Sequence, residues 1–365
     1  FGPIREGRVE IGDLTLLIGP QNSGKTYLSM LLYALAELGE RILTLIPREI
    51  GTFLHEHGVR GHLEHKAIRD LISRHQEEVE ECVTRAIKEQ GARFMSSELR
   101  ACFLSHDLRV LVRKGAEKAQ VTCSYEFGER ELRVSMDVDH EVTIEGVEIG
   151  RGMLSDLITE LELKLYISDR GPAYLVFGKR PTTETLYVPA DRVAIISSLF
   201  SYISLLLDIH THIFERASVA EVLRQVGFGV RKPLLDYIRA VNLSVDLVID
   251  LECLVPVLSV GDFSVEKGRI WYEDPRGVKV PVELASSGVA QLIGILLPTL
   301  VKYDTVIIEE PEINLHADLH IEVARFLADL SRRLKVFITT HSHYVLAELS
   351  NLLVSGELKG LKAYF

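Results

Sequence analysis

Cysteine is scarce in this sequence. Its four residues, Cys82, Cys102, Cys123 and Cys253, form no C-x-x-C pair. That excludes a disulfide-stapled scaffold and a zinc module, and it fits a reducing, cytoplasmic setting. Long hydrophobic runs are absent too. The longest, Val193 to Leu207 and Val289 to Val301, fall short of the roughly 20 apolar residues a bilayer requires. They read as buried helices, and no membrane partner is expected. A net positive charge is missing: the formal balance is −11, which excludes a broadly basic nucleic-acid surface but leaves room for a local patch. Asparagine and glutamine together number ten, a compositional pointer towards a thermophile. No secretory leader opens the chain. It starts at Phe1 rather than Met, and a short native N-terminus is expected ahead of it.

What is present is a globular composition, 47% hydrophobic and 25% charged over 365 residues, enough for one large or two ordinary domains. One motif dominates. Gly19-Pro20-Gln21-Asn22-Ser23-Gly24-Lys25-Thr26 satisfies G-x-x-x-x-G-K-[ST] and follows the apolar run Leu14 to Ile18. A strand, a glycine-rich turn and a helix starting at the lysine cradle phosphates through turn N–H groups, the helix N-terminus and an ammonium. A nucleoside triphosphate site is predicted.

Periodicity extends the reading along the chain. Leu28, Leu31, Leu32 and Leu35 share one face of a helix expected over Lys25 to Leu38. Ile68 to Glu89 reads as a solvated amphipathic helix. Alternation from Leu108 to Ile149 predicts a small antiparallel sheet with turns at Gly128-Glu129 and His140-Glu141. A helix at Met153 to Leu163, a strand at Ala173 to Phe177, the LYVPADR segment (Leu186 to Arg192), an apolar helix and a helix over 217–242 follow. Strands are expected at Leu254 to Ser259, Arg269 to Tyr272 and Val278 to Val282. The last hundred residues alternate: helix Ser287 to Val301, strand Thr305 to Ile308, helix Ala317 to Leu330, strand Val336 to Thr339. The expected class is α/β, with a largely parallel sheet split between the two ends of the chain. The N-terminal half of the core spans 1–50, an inserted helical and antiparallel section 51–250, and the C-terminal half 251–365.

Three further motifs carry chemistry. Val306-Ile307-Ile308-Glu309-Glu310-Pro311-Glu312 is a buried strand delivering acids to its C-terminal tip, where ligands sit in doubly wound sheets. One acid there can hold Mg²⁺ together with the Thr26 hydroxyl, and the next can deprotonate a water. Thr340-His341-Ser342 follows the strand VFIT and could bring an imidazole to a terminal phosphate, or stand as a cap histidine. Leu284-Ala285-Ser286-Ser287-Gly288 opens an apolar helix, as an ordinary N-cap or as a second anion site. The remaining candidates are weaker. His55, His57, His62 and His65, and the pair His210 and His212, have metal-like spacing without partners. Arg192 either faces the nucleotide or packs. Arg109, Arg113, Lys114 and Lys118 form a basic stretch that either touches a nucleic-acid backbone or is simply solvated.

The order GPQNSGKT, LASSG, VIIEEPE, TTHS resembles the ABC-type ATPase superfamily. Within it the chain is similar to the soluble branch of the SMC and RecF proteins and of the ATPase part of overcoming-lysogenization-defect nucleases, above all in the string Glu309 to His316. The resemblance covers both ends well and 40–250 only in layout. It implies a P-loop head of ABC type, with Lys25 on the β- and γ-phosphates and the backbone of 19–26 around them. Thr26 and Glu309 would hold Mg²⁺, Glu310 would be the catalytic base and His341 the switch histidine. Ser286 and Gly288 would act in trans in a homodimer closed by ATP. Val289 replaces the usual polar residue after the signature glycine, Glu309 replaces the commoner aspartate, and no glutamine loop is placed. The opening FGPI is similar to that branch's usual start, with the preceding first strand expected upstream, and no fused nuclease domain is expected in these residues. The implied activity is Mg-dependent ATP hydrolysis serving DNA maintenance or antiviral defence, with DNA, RNA or an effector protein as recipient. Against it stand an ATP-binding scaffold with negligible turnover, a small-acceptor P-loop kinase and a transporter subunit.

Overall fold

The computed structural model describes residues 1–127, 130–161, 164–168, 171–176, 184–196, 231–251, 255–266 and 269–365. The turn at Gly128-Glu129, the apolar run beyond Ile196, His210 and His212, the 217–230 part of an expected helix and Cys253 lie outside them. The chain divides into two compact units, one of residues 1–5 and 34–183, the other of 6–33 and 184–365.

Strand β1, Leu14–Ile18, leads through the phosphate loop into a helix spanning Lys25–Glu56. The helix does not stop near Leu38. It runs on through Pro47, although a proline in a helix interior costs about 3 kcal/mol. Burial decides the matter. Ile42, Leu43, Leu45, Ile46, Ile50, Phe53 and Leu54 are all buried, each worth about 1.5–3 kcal/mol. The buried apolar residues of the first turns are Met30, Leu31, Tyr33, Ala34 and Leu38, so the inward stripe is rotated from the leucine face expected.

In the first unit the amphipathic stretch forms two helices, His65–Arg74 and Gln76–Ala86, broken at His75. Their inward residues are Ile68, Ile72, Val79, Val83 and Ala86. The second passes through a π-turn, Ile87–Gly91, into a helix at Ala92–Phe103. Strand β2, Gly61–Leu63, belongs to a small antiparallel sheet described below. The alternating segment forms β3 (Ala119–Phe127), β4 (Arg130–Val138) and β5 (Val142–Ile149), an antiparallel sheet. Leu132, Val134, Met136 and Val138 of β4 point inward at period two. The register shifts at Ser135/Met136, where Glu145 has no cross-strand partner, a bulge. After the helix Met153–Glu160, β6 (Lys164–Ser168) and β7 (Gly171–Val176) join β2 in the order β2-β6-β7.

The second unit holds a five-stranded sheet in which every pairing is parallel. Its members besides β1 are β8 (Thr185–Val188), β13 (Thr305–Glu309), β14 (Lys335–Thr340) and β15 (Lys362–Tyr364), ordered β15-β1-β14-β13-β8. Between β8 and β13 lie β9 (Val255–Pro256), β10 (Asp262–Glu266), β11 (Arg269–Glu273) and β12 (Lys279–Pro281). They form a separate antiparallel sheet. The strand expected at Leu254 to Ser259 is shorter than that; a 3₁₀ turn at Leu258–Val260 ends it. A parallel sheet with accompanying antiparallel sheets is the α/β class expected. Helices at Lys232–Leu251, Ser287–Leu296, Ala317–Leu330 and His343–Ser355 complete the unit. The helix that opens at Ser287 ends at Leu296 rather than Val301, because Pro298 follows and starts a 3₁₀ turn. Among the described residues no helix is long and apolar enough to cross a membrane.

Candidate nucleotide site

The sheet register brings three strand tips together. Ile18 at the end of β1 pairs with Thr340 at the end of β14, and Glu309 at the end of β13 pairs with Thr339. The phosphate loop, the paired acids and the Thr-His-Ser turn therefore leave the same edge of one parallel sheet side by side. That edge, at the carboxyl ends of the strands, is where such sheets bind ligands.

The loop is shaped by two left-handed residues, Asn22 (φ 60°) and Gly24 (φ 98°). Lys25 is buried, and its ammonium donates to the carbonyls of Gly19 and Pro20, each at 2.8 Å. Burial lowers its pKa, while the carboxylates of Glu310 and Glu312 oppose that shift. The charge is thus kept close to two acids. Gly19 is half-buried, while Pro20, Gln21, Asn22, Ser23 and Thr26 are exposed.

Glu309 is buried, and burial raises its carboxyl above the usual range; the neighbouring Thr26 hydroxyl, Tyr187 and the Ala190 amide work the other way. Its Oε1 is buried without a hydrogen-bond partner. An orphaned carboxylate oxygen next to a threonine hydroxyl is a donor set that suits a hard divalent cation. Glu310 is half-buried, and its Oε1 lies 3.5 Å from His341 Nε2. Its φ is +41°, an uncommon geometry for a side-chain-bearing residue, and its N–H donates to Thr339 O at 2.9 Å.

Glu312 was not singled out by the sequence. Its Oε1 accepts from the Thr340 hydroxyl (2.5 Å), His341 N–H (2.8 Å) and Ser342 N–H (3.2 Å). One buried carboxylate thereby ties the acid-bearing loop to the histidine turn. The third acid of the E-E-P-E string was the available signal, since an acid three residues past a strand tip can reach the neighbouring tip. Ser342 in turn caps the helix His343–Ser355 by accepting from Val345 N–H.

Ser286 and Gly288 stand at the start of the helix Ser287–Leu296. Ser286 caps its helix through Val289 N–H, and a side chain at Gly288 would press on Asn314 O and Leu315. Arg192 proves fully buried, donating to backbone carbonyls at Pro189, Glu309 and Glu310. His57 bonds to Phe53 O and stacks on the Phe53 ring, 4.0 Å between centroids. Among the described residues no group of three or more His, Cys, Asp or Glu is arranged to hold a metal. In the basic stretch, Lys118 pairs with Asp137 and Arg109 donates to Glu117 O, so two of its four cations are engaged within the chain.

Comparison with known proteins bears on this edge. Residues 184–347 match a family model described as "AAA domain, putative AbiEii toxin, Type IV TA system". The match contains Arg192, the signature segment, the paired acids and His341. No curated protein matches the sequence. Among solved structures, the SMC head domain from Thermotoga maritima is similar over 97% of this chain and 87% of its own, at 13% identity and TM-score 0.37. An SMC head bound to the C-terminal winged-helix domain of ScpA covers 93% and 86%, at 12% identity and TM-score 0.41. A head with an extended coiled coil, bound to a ScpA domain from Pyrococcus furiosus, covers 93% and 86%, at 11% identity and TM-score 0.38. Likenesses at this level carry no inference about function.

Proposed function

We propose that the chain binds ATP with Mg²⁺ and hydrolyses it, two copies closing head to head around the nucleotide. The single observation that carries this reading is the meeting of Glu310 with His341 at 3.5 Å on the edge where Lys25 emerges. Phosphoryl transfer needs positioning and charge stabilisation more than covalent chemistry, and this edge offers both. Lys25 and the N–H groups of 19–26 would hold the phosphates. Thr26 and Glu309 would hold Mg²⁺, which when bound neutralises charge on the phosphate oxygens. Glu310 would accept the proton of the attacking water, and His341 would bond the terminal phosphate. The same face of a second copy would supply Ser286 and Gly288, with Leu284, 75% exposed, beside them.

The recipient of the motion is DNA, RNA or an effector protein. The matched family's description, with its toxin of a type IV toxin–antitoxin system, favours a defence setting over genome maintenance. Glu310→Gln is the direct test. Phosphate release should fall by about 10²-fold or more, in the range of a lost general base. ATP should stay bound, and size-exclusion chromatography with ATP should show a dimer. Unchanged turnover in that variant removes Glu310 from the base role. A wild-type protein that binds ATP and releases no phosphate replaces the hydrolase with a nucleotide-binding scaffold.

A further inference from the structure

Arg192 is the largest fully buried side chain of the described residues, and every hydrogen bond it makes is to backbone. Nη1 donates to Pro189 O and Glu309 O, both at 2.8 Å, and Nη2 donates to Glu310 O at 2.9 Å. A fully buried guanidinium is among the costliest groups to place inside a protein. Space filling alone gives no reason for a charged fork here, where an apolar side chain of like volume would pack.

The carbonyls it grips explain the fork. Glu310 sits at φ +41°, and it precedes Pro311, a position that favours extended backbone. Such a residue persists only when its surroundings over-determine it. Thr339 O takes the N–H of Glu310 and Arg192 takes its C=O, so both flanking peptides are pinned. The aliphatic stem of Arg192 lies against the signature helix: a Cβ built on Gly294 would stand 3.3 Å from its Cγ and Cδ. Tyr237, whose hydroxyl donates to Gly294 O at 2.8 Å, stands against the same glycine.

We infer that Arg192 is a positioning residue for hydrolysis: it clamps the Glu309 and Glu310 carbonyls, holding the Glu310 carboxylate in its strained orientation towards His341. The inference rests on the hydrolase reading above. Arg192 touches no substrate in this scheme, and its effect passes through the acid's backbone.

The test uses the full chain with Arg192→Lys and Arg192→Met, each alone and combined with Glu310→Gln. Lysine keeps the charge without the fork; methionine keeps much of the volume without the charge. Affinity for N-methylanthraniloyl-ATP is read by fluorescence, kcat and KM by phosphate release, and folding by circular dichroism. Both single variants should bind nucleotide within about threefold of wild type and lose at least about tenfold in kcat, a loss confined to the transition state. In the Glu310→Gln background, either change should cost less than about twofold more, as expected for residues acting as one unit. Turnover within twofold of wild type in either variant overturns the proposal. So does a parallel loss of affinity, or failure of both variants to fold, since each assigns Arg192 a purely structural role. A wild-type protein without turnover overturns the hydrolase reading and this inference with it. Wild-type turnover that survives in the variants overturns this inference alone.

Discussion

At the scale of single residues, the edge of the sheet is organised by buried polar groups, of which Glu312 and Arg192 bond largely to backbone. Glu312 accepts three donors with one oxygen, and hydrogen bonds to a charged acceptor contribute about 1.5–3 kcal/mol each in favourable cases. Glu312→Ala leaves a hydroxyl and two N–H groups without that acceptor. It should lower the unfolding free energy by about 2–3 kcal/mol, measured by urea denaturation, whereas Glu312→Gln, which keeps a carbonyl oxygen, should lose less. A cost under about 0.5 kcal/mol for the alanine variant, the level of an ordinary surface substitution, contradicts the clamp. These roles differ in how far they could be read in advance. Lys25, Glu309, Glu310 and His341 stand in motifs whose spacing announces them. Packing of Arg192 was one of the two readings of the PADR segment, and its full burial agrees with it. Beside the local carbonyl of Pro189, its acceptors come from Glu309 and Glu310, more than a hundred residues later, which the segment itself does not announce.

At the scale of elements, strong apolar periodicity bounded by turn chemistry was readable almost to the residue. β1 and the helix Ala317–Leu330 end where the pattern ends. β13 runs one residue further at its tip, and β14 one residue further at each end; at the tips the acid and the threonine continue the ladder into the site. Local rules failed where tertiary burial outweighed them. Gly39 and Pro47 both argue for stopping the first helix, yet it continues to Glu56. Gly39 has a packing reason. A Cβ there would stand 2.7 Å from Cε1 of Tyr125, whose hydroxyl donates to Leu35 O at 2.7 Å. Gly39→Ala gains about 1 kcal/mol of helix propensity but forces an overlap costing about 1–3 kcal/mol. It should therefore destabilise the wild type, and the sign should reverse in a Tyr125→Ala background, where the overlap is gone and the propensity gain remains. Thermal melts of the four proteins check this; an alanine that stabilises the wild type contradicts the proposed contact. β10, the helix His343–Ser355 and β15 went unread. β10 is a short strand in a charged context, and the two C-terminal elements lie past the last motif.

At the scale of the whole molecule, the unit that carries the site is discontinuous in sequence. Leu14 pairs with Val336 and Thr15 with Lys362, so β1 is completed by strands more than three hundred residues away. Such non-local pairing is slow to form because loop closure precedes its reward, and the site exists only after that closure. The motif order along the chain announced the closure. It did not reveal that residues 184–251 fall in the same unit as the phosphate loop, because that stretch carries pattern without a motif. The formal charge of −11 leaves any nucleic-acid contact to a local patch, and the one sequence candidate has Arg109 and Lys118 engaged internally. The central claim is the convergence of loop, acids and imidazole on one terminal phosphate. A crystal structure with Mg²⁺ and a non-hydrolysable ATP analogue measures it directly. The γ-phosphate should lie within about 3 Å, hydrogen-bond reach, of both Lys25 Nζ and His341 Nε2, with the metal on Thr26 Oγ1. A nucleotide seated away from this edge, or a γ-phosphate that leaves Glu310 and His341 out of reach, contradicts the account.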